Sequence, residues 1–228
     1  MNTTGHQIKI MNKTIGRVAL IAVPLFFALS ELVHPITQDT ILGEIQSAKV
    51  NDLRWIVSHI LALIAIVFLP FLAQKLICYI GDKKVTPSLI GLVLSYIGIM
   101  GIVGLLTYDF LLWDAWKVGN DFVIANYLNI LNHSAYGAIF LIIGPVLFLS
   151  GFLLLVFLML ISKKVARWKS GLVFIGLLIY GLAGPLVPIP NGHILVSSGA
   201  MIMLLGFIGI MITDFDHNDH VINHSLTP

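Results

Sequence analysis

Six apolar runs, each long enough to cross a bilayer, constrain this chain more than any other feature of its sequence. They cover about 17–34, 53–74, 87–110, 134–162, 169–187 and 192–213. A helix needs about 20 apolar residues to cross roughly 30 Å of hydrocarbon at 1.5 Å per residue. A membrane β-barrel would instead show strands of about ten residues alternating apolar and polar. Segments such as Leu153-Leu154-Leu155-Val156-Phe157 have no such alternation. Each run ends at charge, Pro, Asn or Gly. Trp55, Trp113, Trp116 and Trp168 fall at run ends, where amphipathic rings settle at headgroup level. With 58% hydrophobic and 11% charged residues, the chain lies far from the roughly 45–50% and 25% of soluble domains. A water-soluble enzyme, a disordered chain and a nucleic-acid binder are excluded. The expected fold is an all-α, polytopic membrane helix bundle of six transmembrane helices. It forms a single integral membrane domain over 1–228, with residues 214–228 as a polar tail.

Lys and Arg set the orientation, because cytoplasmic loops carry the excess of them. Lys9, Lys13 and Arg17 precede the first run; Lys75, Lys83 and Lys84 follow the second; Lys163, Lys164, Arg167 and Lys169 lie between the fourth and fifth. Only Lys49, Arg54 and Lys117 lie on the other side. Both termini are therefore expected in the cytoplasm, with a bacterial-type inner membrane as the location and the lipid bilayer as the one partner that composition requires. A second reading of the start is a signal peptide: basic residues, then Val18–Phe27, then Ala28-Leu29-Ser30. The apolar run continues past that point to His34 and breaks only at Pro35, which favours a retained helix.

Between the runs no segment is long enough for a folded module. Asp121–Asn132 spaces its apolar residues helically and reads either as an interfacial helix or as an extension of the fourth span. Gly91, Gly98, Gly101 and Gly104 mark a smooth face on the third span, Gly176, Gly181 and Gly184 on the fifth, and Gly199, Gly206 and Gly209 on the sixth. Small residues at such spacing let backbones pack closely; the sharper reading is a wall for a flat cofactor. One cysteine, Cys78, excludes an intramolecular disulfide.

The functional signal lies in ionisable residues at membrane depth, which cost roughly 2.5–3.5 kcal/mol each on insertion scales. His34 stands 17 residues from Arg17, and His59 stands 16 from Lys75, or about 25 Å and 24 Å above the cytoplasmic end at helical rise. Asp109, His133 and His193 fall at the same outer boundary, and Glu31 sits one turn below His34. Glu31 and His34 share a helix face, as in carboxylate-bridged metal sites of helical bundles. His34 also ends a helix before Pro35 and so reads equally as a cap. His59 lies more than a turn inside an apolar run, as a ligand or as a packed ring bonded to Ser58 or a carbonyl. His133 reads as a ligand or a headgroup-level residue. His193, after Pro188-Ile189-Pro190-Asn191-Gly192, reads as a ligand or as part of that turn. Asp109, and less so Asp114, could accept the second ring proton of a ligating histidine. His217, His220 and His224 read as a solvated tail.

Three functions follow. The first is a redox protein holding haem b or a transition metal, with His59 and His133 as one axial pair and His34 and His193 as a second. Glu31, His34, His59, Asp109 and His133 are the metal candidates, and the sequence specifies neither a quinone nor an electron-transfer partner. The second is a zinc-dependent intramembrane hydrolase with Glu31 or Asp109 as general base, although the His-Glu-x-x-His pattern is missing. The third is a cofactor-free small transporter, or a membrane assembly or stress protein, in which these side chains bind substrate or carry protons. No span places a Lys for a Schiff base, no phosphate-loop or dinucleotide fingerprint exists, and no series of acidic residues crosses the membrane.

Overall fold

The structure, a computed structural model, describes residues 3–35, 51–81, 84–117, 126, 129, 133–162, 164–187 and 191–225. Six helices account for nearly all of them: α1 (Thr3–Val33), α2 (Asp52–Ile80), α3 (Val85–Lys117), α4, α5 (Arg167–Leu186) and α6 (Asn191–Ser225). α4 is composite, running from Ala135–Ala138 through a π-helical turn, Ile139–Ile143, into Gly144–Ser162. Pro145 explains the turn: it has no N–H for the carbonyl one turn earlier, and the helix widens immediately before it. No strand occurs among the described residues.

Five segments are long and apolar enough to cross a membrane: Thr14–Val33, Asp52–Ile80, Val85–Ala115, Gly144–Ser162 and Asn191–Thr213. The protein is thus a multi-pass, all-α membrane bundle. The sixth expected span, 169–187, corresponds to α5, which is not among the five and carries Arg167 and Lys169 in its first turn. The expected polar tail begins inside a helix, since α6 runs on to Ser225. Most of the stretch Asp121–Asn132 lies outside the described residues.

Consecutive helices pair as hairpins: α1 with α2, α3 with α4, α5 with α6. α1 also packs on α6, α2 on α3 and α4 on α5, closing a ring, while α2 reaches across it to α4. The glycine faces expected from the sequence meet neighbouring helices, some at backbone and others at side chains such as Leu149 against Gly181. A Cβ at Gly98 would come closer than 3.0 Å to the main chain of Phe148, and Gly101 and Gly144 face each other in the same seam. Gly199 packs on the backbone of Tyr180 and Gly176 in the same way. At these positions the glycines serve close helix packing.

Toward the end that carries the basic loops the core is mostly apolar, with Ser88, Ser95, Lys169 and Ser170 among its buried polar side chains. Leu20, Leu69, Leu76, Leu155 and Met159 are among its most deeply buried side chains. Lys169 closes this end by donating from Nζ to Gly209 O at 2.6 Å, with Thr213 Oγ1 at 3.3 Å, which ties α5 to α6. Its long stem lies against the bundle while the charge finds oxygen. The opposite end, where α1 stops and α2 and α6 begin, is different in kind.

Candidate functional site

Helix ends place chemically active groups there in register. Glu31 and His34 come from the last turn of α1 and the residue just after it, His59 from the second turn of α2, Asp109 from α3 and His193 from the first turn of α6. All five line one cavity of about 270 Å³, with Ser30, Ser58 and Tyr180 among its other walls. The ring closure of the helices makes this convergence, because α1 contacts both α2 and α6.

Two imidazole–carboxylate pairs form across helices. His193 Nδ1 lies 2.6 Å from Glu31 Oε2, a hydrogen bond between α6 and α1. His59 Nε2 lies 3.6 Å from Asp109 Oδ2, an ion-pair distance too long for a hydrogen bond. His59 Nδ1 is 2.8 Å from the Trp55 carbonyl and 3.2 Å from Ser58 Oγ. A carbonyl only accepts, so Nδ1 carries the proton, and in the neutral ring Nε2 holds the lone pair facing Asp109. Ser58 Oγ itself donates to Trp55 O at 2.7 Å. His34 Nδ1 donates in the same way to Pro35 O, at 3.1 Å.

The rings also stack. His34 lies on His193 with centroids 4.8 Å apart and 20° between planes, and its centroid is 5.7 Å from that of His59. Trp55 stacks on His59 at 3.8 Å and on Trp113 at 6.0 Å. Trp113 Nε1 donates to Asp52 Oδ1 at 2.5 Å, and Lys117 Nζ lies 3.2 Å from Asp52 Oδ2 and 4.1 Å from the Trp113 ring centre. Arg54 Nε donates to Val33 O at 3.1 Å and fastens α2 to the end of α1. A cluster of aromatic and charged groups therefore flanks His59 and ties α2 to α1 and α3.

Of the sequence candidates, the structure brings Glu31, His34, His59, Asp109 and His193 together. His133 is not among the cavity's walls: it is exposed, and its Nδ1 bonds Asn129 O at 3.2 Å. The expected axial pairing of His59 with His133 has no counterpart in this arrangement. His34 and His193, the other expected pair, stack face to face. Among the described residues, no group of three or more His, Cys, Asp or Glu side chains is placed to hold a metal ion.

Sequence reasoning passed over Tyr180 and treated Trp55 only as a headgroup-level ring. Tyr180 is the sole tyrosine of α5, set between Gly176 and Gly181, and that polar aromatic in an apolar run was the available signal. Trp55 is buried, with 5% of its surface exposed, because it packs between His59 and Trp113. Comparison with protein-family models, with curated proteins and with solved structures finds no match for the chain.

Proposed function

We propose that this is a cofactor-free membrane protein that binds a small polar group at the histidine end of its bundle and exchanges protons with it. This is the carrier-like reading of its sequence. The observation that supports it is a single cavity inside the bundle bordered by two imidazole–carboxylate pairs, His193–Glu31 and His59–Asp109. Such groups are expensive to keep at membrane depth and commonly serve binding or proton relay. Nδ1 of His59 is occupied by a backbone carbonyl, so Nε2 is the nitrogen that trades a proton. A diol or amine seated between Nε2 and Asp109 would donate to both, and a proton taken up by Nε2 would turn that atom into a donor. With the basic loops in the cytoplasm, the cavity belongs to the outer half of a cell membrane.

The test is an absorption spectrum of the detergent-purified protein before and after dithionite, with elemental analysis. A flat visible spectrum and metal well below one equivalent are expected; a Soret band or one equivalent of zinc overturns the cofactor-free reading. The positive arm is nitrogen NMR of isotope-labelled histidine. His59 is expected as the Nδ1–H tautomer, with its Nε2 signal moving in Asp109→Asn.

One observation favours a second reading. His34, His59 and His193 each direct Nδ1 at an oxygen acceptor, the orienting contact that metal-ligating histidines make. Zinc held through Nε2 atoms, with a carboxylate as base, is the reading that a zinc-positive analysis would promote. It requires the rings to turn from their present stacked arrangement.

A further inference from the structure

We infer that the ligand is a single-chain amphiphile with a neutral, hydroxyl-bearing head, seated with its head in the histidine cavity and its tail in an adjoining apolar one. The inference rests on the binding function proposed above and adds the substrate class. A second cavity, of about 680 Å³, lies beside the first and shares Phe27, Glu31, Ile102, Leu105, Tyr180 and His193 with it. The two therefore adjoin along a common wall. Away from the shared wall, the larger cavity is apolar, formed by Ile142, Val146 and Leu149 of α4, Gly181 and Leu182 of α5, and Val196 of α6. Its size falls within the roughly 300–1,000 Å³ of small-molecule pockets.

Two features identify the occupant. The mouth opens to lipid between α4 and α5: Ile142, Val146 and Leu182 line the cavity and are 61%, 55% and 44% exposed. The π-helical turn of α4 sets Ile142 at this mouth. A ligand reaching the polar cavity by this route arrives from the bilayer and must carry an apolar portion. At the inner end each carboxylate already faces an imidazole, so the cavity does not demand a charged head. With each ring's Nδ1 already bonded, the wall offers Nε2 lone pairs and carboxylate oxygens, all acceptors, and a head with hydroxyl donors suits it. A monoacylglycerol has this chemistry.

The experiment titrates monoolein, with glycerol as the tail-less control, into the full chain in phosphatidylcholine nanodiscs and follows the His59 and His193 side-chain resonances. Monoolein is expected to move both saturably, and glycerol at equal concentration is not. Val146→Trp, which fills the mouth without touching the polar groups, should raise the monoolein concentration needed at least tenfold. Leu182→Trp serves where that variant fails to fold. An unchanged titration in the filled variants, or an equal response to glycerol, overturns the tail placement while head binding stands. Absence of any monoolein response in the wild type overturns the substrate class. Proton exchange at His59 is read separately, from the Asp109→Asn spectrum.

Discussion

The two ends of this bundle are built to opposite rules. Toward the basic loops, helices meet through buried leucine and methionine, and glycine seams such as Gly98 on Phe148 continue the close packing up the bundle. Toward the other end, the same helices separate around a cavity walled by histidine and carboxylate. Lipid is as apolar as leucine, so close packing rather than water exclusion must hold the first region together. That tight half permits the open half: a bundle anchored along its seams tolerates polar groups and empty volume at one end. The difference between a packed anchor and an open site is measurable.

The largest effect is expected at the seam. Gly98→Leu drives a side chain into the main chain of Phe148, which cannot rotate away, and overpacking already costs typically ~1–3 kcal/mol where side chains can give. Little or no monodisperse protein should be recovered by size-exclusion chromatography. Leu155→Ala, in the fully buried core, should cost about 2 kcal/mol in a reversible detergent unfolding titration. That is the low end of the roughly 2–5 kcal/mol range for soluble cores, because lipid replaces water as the reference and mainly lost packing counts.

At the open end the contrast should invert. Asp109→Asn removes a partner held 3.6 Å from His59 and keeps the side chain's size. Stability should change by ~1 kcal/mol or less, as for loosely coupled pairs, while the His59 Nε2 resonance shifts. A loss as large as that of Leu155→Ala would mean that the histidine end is a structural anchor too. The smallest effect is expected at Gly171, where a Cβ meets nothing within 4 Å. Gly171→Ala should leave the thermal midpoint unchanged or slightly raised, since alanine favours helix by ~1 kcal/mol.

How much of this was readable beforehand follows from helix geometry. Span length and apolarity announced the helices, and counting residues from each basic loop put His34, His59, Asp109 and His193 at one depth. Depth, however, is one coordinate. Whether a residue faces inward depends on how its helix is rotated and on which helices are neighbours. His133 has the same depth as His59 and is exposed, while His193, which read equally as part of a turn, reaches Glu31 on the first helix. The first and last helices touch because the ring closes, a contact across 162 positions that no local spacing encodes. Tyr180 escaped for a related reason: it lines two cavities, each assembled from several helices.

The π-helical turn at Ile139–Ile143 has a consequence for how this protein can change. Such a turn holds one residue more than the regular helix would, in the manner of an insertion the fold has absorbed. Removing one residue from it would restore an ordinary helix and swing everything before it by about 100° around the axis. His133 would then exchange its present exposed direction for another, with the seam beyond Pro145 left untouched. One codon therefore separates the present lining of the larger cavity, to which Ile142 belongs, from a differently composed one, while the five polar residues, none of them on α4, stay where they are.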